Sequence, residues 1–340
     1  MTVNGMVAMG RPTLEQVAQA AGVSRATVSR VVNGSPTVAE PIRAAVERAI
    51  SELGYVPNQA ARSLVTQRTE SFALILPEWT TRVFSDDQLF PGVIRGVGQE
   101  MEAADKQLVL MLAGSAASHD RIERYALARH VDGVLIASMH GADPLPGTLA
   151  RMGVPVVCGG RPLGRARVPY VDVDNVGGAR QAVRHLLEAG RSRIATIAGP
   201  QDMVAGIDRL SGYREELRDS DRRSIVAVGD FTRDSGALAM RQLLQDDPQL
   251  DAVFVASDLM ANGAIRVLRE QGRRVPDDVA VVGFDDIELA RYTEPALTTV
   301  RQPIDGLGRE MARQLLRLAG GETIPDQVVL PTELVIRASA

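Results

Sequence analysis

From residue 72 onward the chain alternates short, wholly apolar runs with longer amphipathic ones, and that alternation leaves few folds open. "FALIL", "LVLML", "DGVLIAS" and "VPVVC" lack a polar residue at every second place, which fits strands covered on both faces. Between them, "LFPGVIRGVGQEMEAA" and "HDRIERYALAR" carry helical spacing. After "YVDVDN" the series starts again. Helix "VGGARQAVRHLLEAG" leads to strand "RIATIAG", helix "RLSGYREELRDS" to strand "SIVAVGD", helix "GALAMRQLLQD" to strand "AVFVAS", and helix "LMANGAIRVLREQG" to strand "VAVVGFDD". Such series make parallel sheets wrapped by helices, and two of them predict two doubly wound lobes. Open parallel sheets take ligands at the carboxyl ends of their strands, so facing lobes would enclose a cleft.

The first 68 residues read differently. Residues 1–12 show no periodicity and are expected to form a disordered arm. Thr13 then precedes "LEQVAQAAG", with Gln16 placed to complete a capping box and Leu14, Val17, Ala18 and Ala21 on one helical face. Gly22 suits the left-handed residue that ends a helix. Ser24 caps a second helix, in which Val28, Val31 and Val32 point inward. Two short helices joined by a glycine turn make a helix-turn-helix. A third helix, "PIRAAVERAISELG", would pack Ile42, Ala45, Val46, Ala49, Ile50 and Leu53 against them.

If the valines face in, Arg25, Ala26, Ser29 and Arg30 face out, near the part of the second helix that enters a major groove in such motifs. Arginine there can bind guanine O6 and N7 in parallel, and Ala26 can touch a thymine methyl. Thr13, Ser24, Thr27 and Ser29 suit phosphate contacts, and Asn33 at the helix end is counted with them. An exposed helical hairpin with solvated arginines is the plainer alternative. Charge favours the DNA reading slightly: residues 1–68 hold seven arginines against four glutamates, while the whole chain is −4.

Other function classes find little support. There is no GxxxxGK[ST], and "GVIRGVG" falls inside a helical pattern, which argues against a dinucleotide loop. His119, His130, His140 and His185 lack metal spacing, no nucleophile elbow is present, and neither cofactor nor metal is expected. No apolar stretch reaches the roughly 20 residues of a membrane span, and the N-terminus lacks signal-peptide order. With Cys158 the only cysteine, a cytoplasmic protein is expected, nucleoid-associated when on DNA.

"TLEQVAQAAGVSRATVSRVVNG", "LGYVPNQAARSL" and the layout after them closely resemble the LacI/GalR family of bacterial transcriptional repressors. The resemblance implies a small all-α helix-turn-helix domain (13–56) and a hinge helix and linker (57–69). An α/β, periplasmic-binding-protein-like core for effector binding and dimerisation follows (70–340). Its first lobe would span about 70–171 and 302–326, and its second about 172–301 and 327–340, with three crossings between them. It implies that Leu64 of each hinge helix wedges into the minor groove at the operator centre, with Asn58, Ala61 and Arg62 as neighbouring contacts, which kinks DNA by unstacking one step.

For the cleft, the resemblance implies that Asp285 accepts from effector hydroxyls or ring nitrogens, that Arg209 donates from the other side, and that Ser257, Asp258 and Gln302 line it. Phe84 and Asp86 follow the first strand, and Arg161 ends another. Two alternatives stay open: Asp258 suits a helix cap equally well, and Arg209 with Asp285 suits a structural ion pair. Directed polar groups beside an aromatic platform favour a sugar, with a nucleobase or nucleoside second. The expected protein is a homodimer that binds palindromic double-stranded operator DNA under effector control, most simply as a repressor and not an enzyme. An activator of the same architecture is one rival, and a solute-binding protein without a DNA role is another. No leucine heptad closes the chain, so a dimer is favoured over a tetramer.

Overall fold

The computed structural model describes residues 12–56, 68–85, 87–164, 167–219 and 223–340. Residues 1–11 of the expected arm, the expected hinge residues Asn58, Ala61, Arg62 and Leu64, and the expected cleft residue Asp86 lie outside the described residues. The chain divides into two units, Met1–Thr69 and Glu70–Ala340.

In the first unit, helix α1 (Leu14–Ala21) begins with the expected capping box: Gln16 N donates to Thr13 Oγ1 at 3.3 Å, and Thr13 N donates to Gln16 Oε1 at 2.8 Å. Gly22 ends it in the left-handed conformation, at φ 67°. Helix α2 (Arg25–Val32) is capped by Ser24, whose Oγ accepts from Thr27 N at 3.2 Å. Helix α3 (Glu40–Leu53) follows a turn that Arg43 ties down by donating from Nη2 to Ser35 O at 2.8 Å. Each helix gives one fully buried valine, Val17, Val28 and Val46, and Ala18, Val31, Ala49 and Tyr55 surround them. Burying each such side chain contributes about 1.5–3 kcal/mol, which a three-helix unit needs to hold together. Ile42 and Leu53, expected inside, are 39% and 38% exposed. They sit in the first and last turns of a 14-residue helix that outruns its two eight-residue partners.

The second unit contains two six-stranded sheets. In the first lobe the order is β11 (Gln327–Leu330), β5 (Tyr170–Val173), β4 (Val156–Gly159), β3 (Gly133–Ala137), β1 (Ser71–Leu76), β2 (Gln107–Leu112), and every pairing is parallel. In the second the order is β12 (Glu333–Val335), β10 (Thr298–Arg301), β9 (Ala280–Asp285), β8 (Ala252–Val255), β6 (Ile194–Ala198), β7 (Ile225–Val228). Only β12 runs antiparallel, against β10.

The double burial read from the apolar runs is visible along β1. Phe72, Leu74 and Leu76 join one core with Val93 and Val97 of α5 (Leu89–Ala103) and Met311 and Leu315 of α13 (Ile304–Ala319). Ala73 and Ile75 join the opposite core with Ile122 of α6 (Ala116–Leu127) and Leu149 of α7 (Leu145–Arg151). Helices α5 and α13 cross closely: a Cβ at Gly96 would collide with the Asp305 backbone, and one at Gly308 with that of Val93. The second sheet is clad likewise. Helices α8 (Asn175–Glu188) and α9 (Val204–Asp219) cover one face, and α10 (Arg233–Asp246) and α11 (Asp258–Glu270) cover the other.

The chain passes between the lobes three times, after Val173, Arg301 and Leu330. The last crossing differs from expectation. The family layout places residues 327–330 in the second lobe, but β11 pairs with β5, Gln327 opposite Tyr170, and only β12 belongs to the second sheet. A short apolar run fits the edge of either sheet, and pairing partners decide which one takes it.

Candidate functional site

On the first unit, α2 buries Val28 and Val31 and leaves Arg25, Ala26 and Arg30 exposed, with Ser29 half-buried beside them. Thr13, Ser24 and Asn33 are also exposed, and Thr27 is half-buried. The hydroxyls of Thr13 and Ser24 already accept cap hydrogen bonds, and the Ser24 and Thr27 hydroxyls, 2.9 Å apart, share one more, which leaves one O–H of that pair for a phosphate oxygen. Arg25 Nε lies 3.1 Å from Glu15 Oε1, an exposed pair that adds little stability. Arg30 has no ionic partner among the described residues. The face therefore combines two extended guanidiniums, a methyl and a hydroxyl on one short helix, a set that can read base edges in a major groove.

On the second unit, a cavity opens where strand ends of the two sheets converge. Leu76, Ser138, Arg161 and Asp172 border it from the ends of β1, β3, β4 and β5, while Phe231, Ser257, Asp285 and Gln302 border it from those of β7, β8, β9 and β10. Two crossing segments contribute, one through Asn175 and the other through Gln302.

Arg209, 4% exposed, organises the floor. Its Nη1 donates to Ala256 O at 2.7 Å and to Asp285 Oδ1 at 3.2 Å, and its Nε donates to Asn175 Oδ1 at 2.9 Å. The guanidinium lies 3.7 Å from the Phe284 ring centroid. Gln302 Nε2 donates to the same Asp285 oxygen at 2.6 Å. Burial pushes the Asp285 carboxyl up to about 7; Arg209 opposes that rise and Asp87 reinforces it. Burial likewise raises Asp87 and Asp172.

Three residues on the cavity wall hold a left-handed backbone without being glycine: Ser138 (φ 61°), Phe231 (φ 67°) and Asp285 (φ 116°). Such conformations cost on the order of 1–3 kcal/mol each and persist where the surroundings over-determine them, as ligand sites do.

Of the residues expected here, Arg161, Arg209, Ser257, Asp285 and Gln302 line the cavity. Arg161 Nη2 pairs with Asp208 Oδ1 at 2.7 Å, and its backbone N donates to Asp172 Oδ2. Ser257 also caps α11, accepting from Met260 N. Phe84 and Asp258 do not line it. Phe84 is 70% exposed, and Phe90 and Phe231 line the cavity instead, because position after a strand does not fix side-chain direction. Asp258 is fully buried, accepting from Thr299 Oγ1 at 2.5 Å and Ile287 N at 3.0 Å. It braces the loop after β9 and is neither the cap nor a cavity residue, and burial drives its carboxyl well above the usual range. Sequence reasoning missed Arg82, Asp87, Asp172, Asn175 and Phe231. For Asn175 the signal was present, since "YVDVDN" ends a strand at a crossing, but Asp174 beside it took the capping role by accepting from Gly177 N at 2.8 Å.

The charges on the wall are largely spoken for. Arg82 lies 3.6 Å from Glu78, Arg161 pairs with Asp208, and Arg209 with Asp285. Asp87 Oδ1 accepts from Leu89 N, while Asp87 Oδ2 and Asp285 Oδ2 have no partner among the described residues. The cavity thus offers open acceptors and engaged cations, which suits a neutral ligand rich in hydroxyl donors. Among the described residues no cluster fit to hold a metal ion exists, and no helix is long and apolar enough to cross a membrane.

Known proteins resemble the chain along nearly its whole length. Residues 13–58 match the model for bacterial regulatory proteins of the lacI family, and residues 183–340 match that for a periplasmic binding protein-like domain. The HTH-type transcriptional regulator CelR of Thermobifida fusca is 53% identical over 335 residues, covering 97% of this chain and 98% of its own. The ribose operon repressor of Halalkalibacterium halodurans is 34% identical, with 96% of each chain covered. Among solved structures, a transcriptional regulator CelR–cellobiose complex has 51% identity and a TM-score of 0.77, covering 97% of this chain and 100% of that one. The lac repressor dimer bound to operator and the anti-inducer ONPF has 29% identity and a TM-score of 0.84, covering 97% and 99%. These relatives are transcriptional regulators, and at this identity and coverage the chain belongs to the lacI family of bacterial regulatory proteins.

Proposed function

We propose that the protein is a homodimeric operator-binding repressor whose DNA affinity is set by a neutral sugar in the interlobe cavity, with a β-linked glucose disaccharide such as cellobiose as the leading effector. The observation that carries this reading is the cavity's polarity: its three arginines are engaged by carboxylates, and two carboxylate oxygens remain open to hydroxyl donors. A sugar phosphate would need a free cation there. The regulator solved with cellobiose supports the choice of sugar. Arg25, Ala26, Ser29 and Arg30 would read base edges, Thr13, Ser24, Thr27 and Asn33 would hold phosphates, and Leu64 with Asn58, Ala61 and Arg62 would act at the operator centre. Arg209, Asp285, Gln302, Ser257 and Arg161 would hold the effector, joined by Asp87 and Asn175. Effector binding shifts the population between lobe arrangements, and those arrangements differ in their affinity for DNA. Cytoplasmic residence, next to the nucleoid, follows from that role.

A thermal-shift panel of cellobiose, glucose, ribose, glucose 6-phosphate and adenosine tests the effector class. A ligand at a hundred times its Kd stabilises by about 2.7 kcal/mol, which for a domain of this size is roughly 5–10 °C. Cellobiose is expected to give such a shift and glucose 6-phosphate none. A shift with adenosine alone would replace the sugar reading with the nucleoside one.

A further inference from the structure

Around the cavity rim the lobes also touch through polar groups, and one of these contacts contains an imidazole. His140, in the loop after β3 of the first lobe, places Nδ1 2.8 Å from Asp202 Oδ2, in the loop between β6 and α9 of the second. Its Nε2 lies 3.2 Å from Glu78 Oε1, in the loop after β1. Glu78 is 3% exposed and also accepts from Ser138 Oγ at 2.7 Å. Its neighbour Arg82, in the short helix α4 (Thr80–Val83), lines the cavity together with Ser138. Gly141 N donates to Asp202 O at 2.7 Å, so backbone as well as side chain joins the two loops.

A neutral imidazole has one N–H and one lone pair, whereas two flanking carboxylates call for two donors. Only the imidazolium satisfies both. We infer that His140 is a protonation-dependent clasp between the lobes: the protein samples a closed cleft without effector and the effector completes the closure, which brings Asp202 of the second lobe against an imidazole that Glu78 already holds, so effector binding takes up a proton. This rests on reading the cavity as the effector site.

The surrounding charges agree. The Glu78 hydrogen bond first, and then Asp202, hold His140 above the ordinary histidine value against the opposing effect of its partial burial. Burial pushes Glu78 up, but His140, Ser138 and Arg82 together hold it below the usual carboxylate range. Arg82 in turn acts on Asp87 and, from the other lobe, Asp230. His119 and Asp143, 3.9 Å apart, flank the same loop. Two further contacts span the lobes: Arg161 with Asp208 at 2.7 Å, and Glu288 N donating to Gln88 Oε1 at 3.1 Å.

Because the pKa is raised in the closed form, the clasp contributes fully below the unbridged histidine value and is lost as pH rises through the bridged one. Effector affinity carried by His140 is therefore higher at pH 6 than at pH 8. Asp285, pushed up to about 7, titrates in the same window, so the pH profile alone does not isolate the clasp. Asp202→Asn does, since it keeps Asp285 and changes a half-exposed side chain.

The test uses the full chain with isotope-labelled histidine, the His140 resonance being assigned with His140→Gln. In effector-free protein, Asp202→Asn is expected to lower the pKa of His140. Addition of cellobiose is expected to raise it in the wild type and not in Asp202→Asn. Calorimetry in two buffers of different ionisation enthalpy should show proton uptake on cellobiose binding that falls in the variant, and the gain in affinity from pH 8 to pH 6 should shrink severalfold. Unchanged His140 titration in Asp202→Asn, or equal proton uptake in both proteins, overturns the clasp. If cellobiose does not bind the wild type at either pH, the sugar reading fails, and the effector-free titration alone decides the clasp.

Discussion

Arg209→Ala is expected to abolish the effector response and to cost about 3–5 kcal/mol of stability, because it leaves one member of a buried ion pair uncompensated. The substitution strands Asp285, removes the donor to Ala256 O and to Asn175 Oδ1, and uncovers the Phe284 ring. Arg209→Lys keeps a charge but loses the fork that serves three acceptors at once, so an intermediate loss is expected. Denaturant unfolding and cellobiose calorimetry on the same samples read both consequences. If Arg209→Ala melts like the wild type and still binds, Arg209 is a bystander and the floor of the site lies elsewhere.

The second large effect is expected on DNA. Arg25→Ala should lose about 1–3 kcal/mol per half-site and relax base preference at one position, and a symmetric operator counts that loss twice. The residue is exposed at the start of α2, and its one ionic partner, Glu15, is exposed as well, so releasing it to a base meets little opposition. Glu15→Ala serves as the control, with specificity unchanged. An unaltered site-selection profile for Arg25→Ala would move base reading to Arg30 and its neighbours.

How much of this the sequence disclosed depends on how local the cause was. The capping box at Thr13, the left-handed Gly22 and the inward Val28 were legible because each follows from a few adjacent residues. Double burial of the strands was legible because wholly apolar runs have no solvent face to offer. Arg209 and Asp285 were identified by resemblance, and their contact, 76 positions apart in sequence, is set by the meeting of α9 with β9. What stayed hidden was decided by tertiary partners. Phe231, with a left-handed backbone, lines the wall, whereas Phe84 stays exposed. Asp258 is drawn into the interior by Thr299 and Ile287 N. Strand β11 finds its register on β5. His140 gave no local signal, since both of its partners lie 62 residues away.

The central claim is that one small molecule controls sequence-specific DNA binding by this chain. The most direct measurement is binding-site selection by the purified full-length protein from randomised duplex DNA, at a fixed and stated salt concentration, with and without saturating cellobiose. An effector-controlled repressor enriches a single near-palindrome, and cellobiose changes that enrichment strongly while nonspecific binding stays the same. Enrichment of the same sequence to the same degree in both arms, with cellobiose shown by thermal shift to be bound, would contradict the claim.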